Sequence, residues 1–247
     1  MPDESSRHNF FQHIEQGFEM ATVQLSEMEM FYQERGQGKA TLLALHPSTV
    51  AGALFQWALP RNNGFRVLLP DQRGHGKTPN PAPDMHLYRL VDDMEELLEI
   101  KGVERLHGIG YSMGAAVLLG MARRNPGRFK SLAIIGATHR RPTPEQLTRL
   151  AGPLDQRKGI IREVTHPERG IRVGWEFSEQ EAQKLTCPVA LIAGDREQSN
   201  DVETYVELYR MLPNARLLVV PGANHFGFHN NAMVRQYLDD WYDMIAP

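Results

Sequence analysis

The chain has 247 residues, 41% of them hydrophobic, and a formal net charge of -3, which suits one compact domain with a sizeable core and room for an insertion. With 27 basic against 30 acidic side chains there is no broad field to draw in nucleic acid or an anionic membrane, so neither is expected as a partner. Met1 to Ser6 lacks the positive start and apolar run of a secretory leader, and no later run approaches membrane-spanning length, so the expected location is the cytoplasm.

In chain order, residues 1–20 form a polar N-terminal segment whose Phe10, Phe11 and Phe18 suggest a short helix packed on the side of the domain. Val23–Leu25 and Glu29–Gln33 read as extended segments. Arg35-Gly36-Gln37-Gly38 then supplies turn chemistry before the apolar Thr41–Leu45. Strand and helix alternate from there: strand Arg66–Leu69, helix His86–Ile100, strand Leu106–Ile109, helix Ala115–Ala122, strand Leu132–Ile135. Strands Val189–Ala193 and Leu217–Val220 follow, with helices Val202–Met211 and Ala232–Ile245. Such alternation predicts an α/β fold, a mostly parallel eight-stranded sheet with helices on both faces and an antiparallel start.

One interval breaks the rhythm. Residues 139–185 show no strand, only Pro- and Gly-punctuated helical pieces near 144–157, 160–164 and 178–185, too long for an ordinary connection. A short helical cap over the sheet's carboxyl edge is the expectation, since ligands of open parallel sheets bind there. The core is then 21–138 with 186–247. Basic residues outnumber acidic ones in the cap's first part, which reads as a solvated face. The lone Cys187, between Thr186 and Pro188 at a strand's start, reads as a packing residue.

The chemistry gathers at Gly110-Tyr111-Ser112-Met113-Gly114, where strand turns into helix. A serine at so sharp a junction is pushed out at the strand's end, and glycines on either side relieve the crowding, the pattern of a nucleophile elbow. A serine hydroxyl is a poor nucleophile without a neighbouring base, usually a histidine oriented by a carboxylate. Among ten histidines, His225 is the candidate: it follows the last strand and so lies at the same sheet edge as Ser112. His229, four residues on, lacks a third ligand at clear spacing, so no metal site is expected. His46 and His75 sit in Pro- and Gly-rich loops and read as braces, while Asp71, Asp92 and Asp93 read as loop or helix-surface residues. The loop after Val189–Ala193 offers three acids, Asp195, Glu197 and Asp201. The Met113 amide, at the start of a helix, can face an anion.

These motifs stand in a familiar order. The elbow around Ser112, the turn Asp71-Gln72-Arg73-Gly74-His75-Gly76, the segment Pro188–Glu197 and the run Pro221–His225 together resemble the α/β-hydrolase superfamily, from about Glu29 to the C-terminus. The resemblance implies that the acid stands three residues after Gly194, which is Glu197, with Asp195 the alternative and Asp201 third. It implies an oxyanion hole made by the Met113 amide and, by position in the loop His46-Pro47-Ser48-Thr49, the Ser48 amide. Pro47 departs from the family's His-Gly pattern, has no N–H to offer, and restricts His46 to extended conformations.

The implied activity is that of a serine hydrolase of the esterase and lipase type, cleaving a carboxylic ester or related acyl bond of a small molecule without a cofactor. Carbon–carbon bond hydrolysis, lactone hydrolysis and acyl transfer use the same parts. Epoxide hydrolysis and haloalkane dehalogenation, which in this superfamily use an aspartate nucleophile, do not fit Ser112. The rival from another class is a ligand-binding protein with an impaired hydrolase site, motivated by Pro47 and by the glutamate. Oligomeric state has no signature in the sequence.

Overall fold

A computed structural model describes residues 17–246, apart from 62, 63, 141, 144, 147, 148 and 150–176. The expected helix in residues 1–20 and the expected helical pieces at 144–157 and 160–164 lie mostly or wholly outside the described residues. Eight strands form one sheet in the order β1-β2-β4-β3-β5-β6-β7-β8. They are β1 (Glu19–Gln24), β2 (Glu29–Arg35), β3 (Ala40–Leu45), β4 (Phe65–Pro70), β5 (Leu106–Tyr111), β6 (Phe129–Ile135), β7 (Val189–Gly194) and β8 (Ala215–Val220). The strand β2 runs antiparallel to both β1 and β4, and from β4 to β8 every pairing is parallel. The expected antiparallel start and parallel body are both present.

The period-two alternation of the central strands divides the core. Leu43, Leu45, Leu106, Leu132, Ile134, Val189 and Leu191 face one layer. Helices α1 (Leu87–Ile100), α2 (Met113–Arg124), the single turn α3 (Glu179–Ala182) and α4 (Val202–Met211) close it. Leu42, Ala44, Val67, Ile109, Ala133, Ile135, Ala190 and Ile192 face the other, against the 3-10 helix Gly52–Ala58 and α5 (Ala232–Ile245). Helices on both faces bury the central strands fully, as β3, β5 and β7 show, and leave them apolar apart from Thr41 in β3 and His107 in β5. Each leucine or isoleucine so buried contributes roughly 1.5–3 kcal/mol.

Helix α1 shows how pattern becomes packing. Its buried Leu87, Leu90, Val91, Met94, Leu97 and Leu98 recur at helical spacing. Asp93 lies on that same buried side, 4% exposed. Reading it as a helix-surface residue is therefore wrong: the guanidinium of Arg73, from the loop after β4, donates to both of its oxygens at 2.8 and 2.7 Å. Arg73 also pairs with Glu27 at 2.8 Å. Asp71, also buried, accepts the amides of Gly52 and Lys77 at 2.7 and 2.8 Å and ties the loop after β4 to the start of the 3-10 helix.

The long interval after β6 leaves and returns at one place. Phe177, buried in the core, donates its amide to the His139 carbonyl at 3.4 Å. Ser178 then caps α3 reciprocally with Glu181. Cys187 is half-buried against the same layer, and burial pushes its thiol up to about 11, which suits packing rather than reactivity.

Candidate active site

The turn from β5 into α2 carries the strain expected of an elbow. Ser112 has φ 51° and ψ -112°, the left-handed side of backbone space that a non-glycine residue rarely occupies. Its amide donates to the Ile135 carbonyl at 2.8 Å, which pins the turn to β6. The flanking glycines are required by contact. A Cβ at Gly110 would lie 2.6 Å from the Ala115 nitrogen, and one at Gly114 would lie 2.1 Å from the Leu45 carbonyl oxygen. The start of α2 therefore rests directly on the end of β3.

That contact brings two loops together. The Met113 amide opens α2 and has no carbonyl one turn back within the helix. Beside it the loop after β3 runs through Pro47 and Ser48 to Thr49, whose φ of 73° takes up the turn. Among the described residues, no acceptor takes the amide of Ser48. His46 braces this loop. Its Nε2 accepts the Gln72 amide at 2.9 Å, its Nδ1 donates to the Pro47 carbonyl at 2.8 Å, and the Gln72 side chain donates to the His46 carbonyl at 2.7 Å. Burial, with His75 nearby, pushes the His46 imidazole down to about 3, so it stays neutral and keeps an acceptor nitrogen for Gln72. His75 braces its own turn by bonding the Arg73 carbonyl at 2.9 Å.

The loops after β7 and β8 are stitched to each other. Asp195 donates its amide to the Val220 carbonyl at 3.2 Å, and Arg196 to the Ala223 carbonyl at 2.9 Å. A Cβ at Gly194 would lie 2.1 Å from the Ala223 oxygen, so glycine allows the two backbones to meet. The Asp195 carboxylate accepts the Gly222 amide at 2.6 Å, and Gln198 accepts the His225 amide at 3.0 Å. His225 is thereby held over the elbow, buried, with Tyr111 donating from below to its backbone carbonyl.

The side chains converge on one line. His225 Nε2 lies 2.8 Å from Ser112 Oγ, and its Nδ1 hydrogen-bonds Glu197 Oε1. The imidazole and the carboxylate are both almost wholly removed from solvent, at 4% and 1% exposure. Of the three acids in the loop, Glu197 contacts the imidazole. Asp195 serves the turn at Gly222, and Asp201 opens α4 and accepts from Gln146 at 3.2 Å. A hydroxyl bonded to an imidazole whose other nitrogen meets a carboxylate can pass its proton to that imidazole as it attacks.

Some neighbours of the site were silent in the sequence. Ser199 Oγ lies 3.0 Å from Glu197 Oε1 and 3.1 Å from His225 Nδ1. It accepts from Asn200 at 3.1 Å, and Asn200 in turn accepts from Thr138 at 3.0 Å. A polar loop of Gln, Ser and Asn carries no periodicity, so nothing marked these residues before the fold placed them. His229 stands apart: its ring nitrogens are engaged by the Phe226 carbonyl and the Asn230 amide at 3.0 and 2.9 Å.

Comparison with known proteins agrees with this fold. The profile of the alpha/beta hydrolase fold matches residues 45–177, which include β4, β5, the elbow and β6. The chain belongs to the α/β-hydrolase family. A proposed carbamate hydrolase, RutD, of Caulobacter sp. (strain K31) is 33% identical over 65% of this chain and 74% of its own length. The proline iminopeptidase of Neisseria gonorrhoeae is 28% identical over 62% of this chain, which spans only 56% of that enzyme. Among solved structures, the carboxylesterase CesB of Bacillus subtilis superposes with a TM-score of 0.75 at 18% identity, over 98% of this chain and 96% of its own. A thermophilic esterase of Thermogutta terrifontis gives 0.74 at 18% identity, over 93% and 100%. These relatives are named as hydrolases, and at these identities the structural neighbours speak for the fold. Among the described residues no helix is long and apolar enough to cross a membrane.

Proposed function

We propose that the protein is a serine hydrolase that cleaves a carboxylic ester of a small molecule through an acyl-enzyme intermediate. The observation that carries this reading is the unbroken line from Ser112 Oγ through the His225 imidazole to Glu197, on a strained elbow at the sheet's carboxyl edge. Ser112 attacks the acyl carbon while His225 takes its proton. Glu197 holds the imidazole in the tautomer with Nδ1 protonated and stabilises the imidazolium as it forms. The Met113 and Ser48 amides face the oxyanion, a role supported by the contact of Gly114 with Leu45 that sets their two backbones side by side. His225 next returns its proton to the leaving alcohol, and water repeats the sequence on the acyl-enzyme.

Residues 139–185 act as a cap over this edge, a reading supported by their departure directly after β6 and their return beside His139. No step requires a metal or organic cofactor. Short-chain aryl esters, with the adduct on Ser112 trapped by rapid acid quench and located by mass spectrometry, test the chemistry. Turnover with an acylated Ser112 peptide is expected. Turnover that survives in Ser112→Ala would contradict the mechanism. Added alcohols that divert the acyl group from water would point to an acyltransferase.

A further inference from the structure

The acid of this site is a glutamate, longer by one methylene than the aspartate usual at its place, and its second oxygen has a peculiar setting. Glu197 Oε1 receives His225 and Ser199, whereas Oε2 is buried and makes no hydrogen bond among the described residues. The Tyr205 hydroxyl, on α4, is in the same position: its side chain is fully buried and its oxygen makes no hydrogen bond of good geometry. Yet this hydroxyl interacts directly with the Glu197 carboxylate and with the Asn200 carboxamide. The Tyr205 hydroxyl and Glu197 Oε2 are thus a buried donor and a buried acceptor on two interacting side chains, neither completing a hydrogen bond of good geometry among the described residues, and leaving either alone is costly.

We propose that Tyr205 and Ser199 are positioning residues that hold Glu197 between them, Ser199 donating to Oε1 and Tyr205 to Oε2, so that the longer acid presents one fixed oxygen to His225. The inference rests on the catalytic reading given above. Burial and the Glu197 charge keep the Tyr205 hydroxyl protonated far into the alkaline range, so it retains a proton to donate to the carboxylate. Asn200 links the pair to the edge of the sheet. It donates to Ser199 and accepts from Thr138, which also takes the Arg140 amide at 3.2 Å where the chain enters the long interval after β6. Among the described residues, the titratable groups that contact His225 are Glu197 and Tyr111, and Tyr205 acts on it through Glu197.

The sign of the effect follows from charge. Each donor to the carboxylate draws off part of the negative charge that would otherwise stabilise the imidazolium. Removing a donor thus raises the pH midpoint of His225 and also loosens the carboxylate. The test is the His225 titration followed by NMR in the wild type, Tyr205→Phe and Ser199→Ala, with fluorophosphonate labelling of Ser112 measured on the same samples. Tyr242→Phe serves as control, since it deletes another buried hydroxyl, one that donates to the Ala58 carbonyl at 2.7 Å away from the site.

The two site variants are expected to stay folded, to raise the His225 midpoint by about half a unit or more, and to slow labelling roughly tenfold, the loss of a hydrogen bond to a charged group. The control is expected to change neither. An unmoved midpoint in both folded site variants would overturn the proposal. Absent labelling in the wild type would count against the catalytic reading alone, because the titration still reports on Tyr205 and Ser199.

Discussion

At the residue scale, the site depends on which acid reaches His225, and the loop offers three at short range. Glu197→Gln keeps the shape but removes the charge, and acylation of Ser112 is expected to fall by about a hundredfold or more, since the imidazolium loses its counter-charge. Asp195→Asn is expected to leave acylation within a few-fold of the wild type while lowering stability by about 1 kcal/mol, through the weakened bond to the Gly222 amide. Stopped-flow acylation and urea unfolding of both variants check the contrast. The resemblance-based count of three residues from Gly194 pointed to Glu197, and the fold explains why Asp195 is spent elsewhere: its backbone belongs to the seam with Val220 and Gly222. Asp93 was misread because an acid on a helix is usually solvated. Only the fold shows Arg73 arriving from a separate loop to meet it.

At the scale of elements, apolar runs and their punctuation made the central sheet legible. Helices α4 and α5 span the residues the pattern placed them on, and strands β3 and β5 to β8 are each longer at one end by one to three residues, because a strand continues as far as its neighbour pairs with it. The strand β1 is the exception. It begins at Glu19, well before Val23, since its edge position leaves its residues partly exposed and its sequence without strong alternation. What no pattern announces is close approach between elements. Gly114→Ala is expected to force α2 from β3, with a loss of several kcal/mol or failure to fold, since the new carbon would meet backbone rather than a movable side chain. Gly102, which closes the turn after α1 with a φ of 65° and open space around it, marks the contrast. Gly102→Ala costs only the strained backbone, roughly 1 kcal/mol. Denaturant midpoints of the two alanine variants separate a steric requirement from a conformational one.

At the scale of the whole molecule, two buried neutral histidines make the fold sensitive to acid. Burial, with His75 nearby, holds His46 down to about 3, and burial with Lys130 and Arg105 nearby holds His107 down to about 4. In the unfolded chain both titrate near about 6.5. Between these limits the unfolded state binds more protons, so acid favours unfolding: stability is complete above about pH 6.5 and declines as pH falls towards 4 and then 3. Urea midpoints at pH 7.5, 5.5 and 4.5 should fall progressively, and His107→Gln should flatten part of that slope. A constant midpoint over the range would contradict it. The coarse architecture was readable because layering follows from hydrophobic pattern, whereas these histidines gave no sign of their burial. His107 alternates with apolar neighbours in β5 and shows its isolation only when Phe65 and Ser131 close around it.

All of this serves a single claim, that the hydroxyl of Ser112 is activated by His225 and Glu197. Labelling the folded protein with a fluorophosphonate, mapping the modified peptide and comparing rates in Ser112→Ala, Glu197→Gln and Asp195→Asn tests it most directly. Rapid modification confined to Ser112, absent in the alanine variant, strongly slowed by Glu197→Gln and little changed by Asp195→Asn, is the predicted result. A folded wild-type protein that resists labelling, or one whose labelling depends on Asp195 and ignores Glu197, would contradict the account.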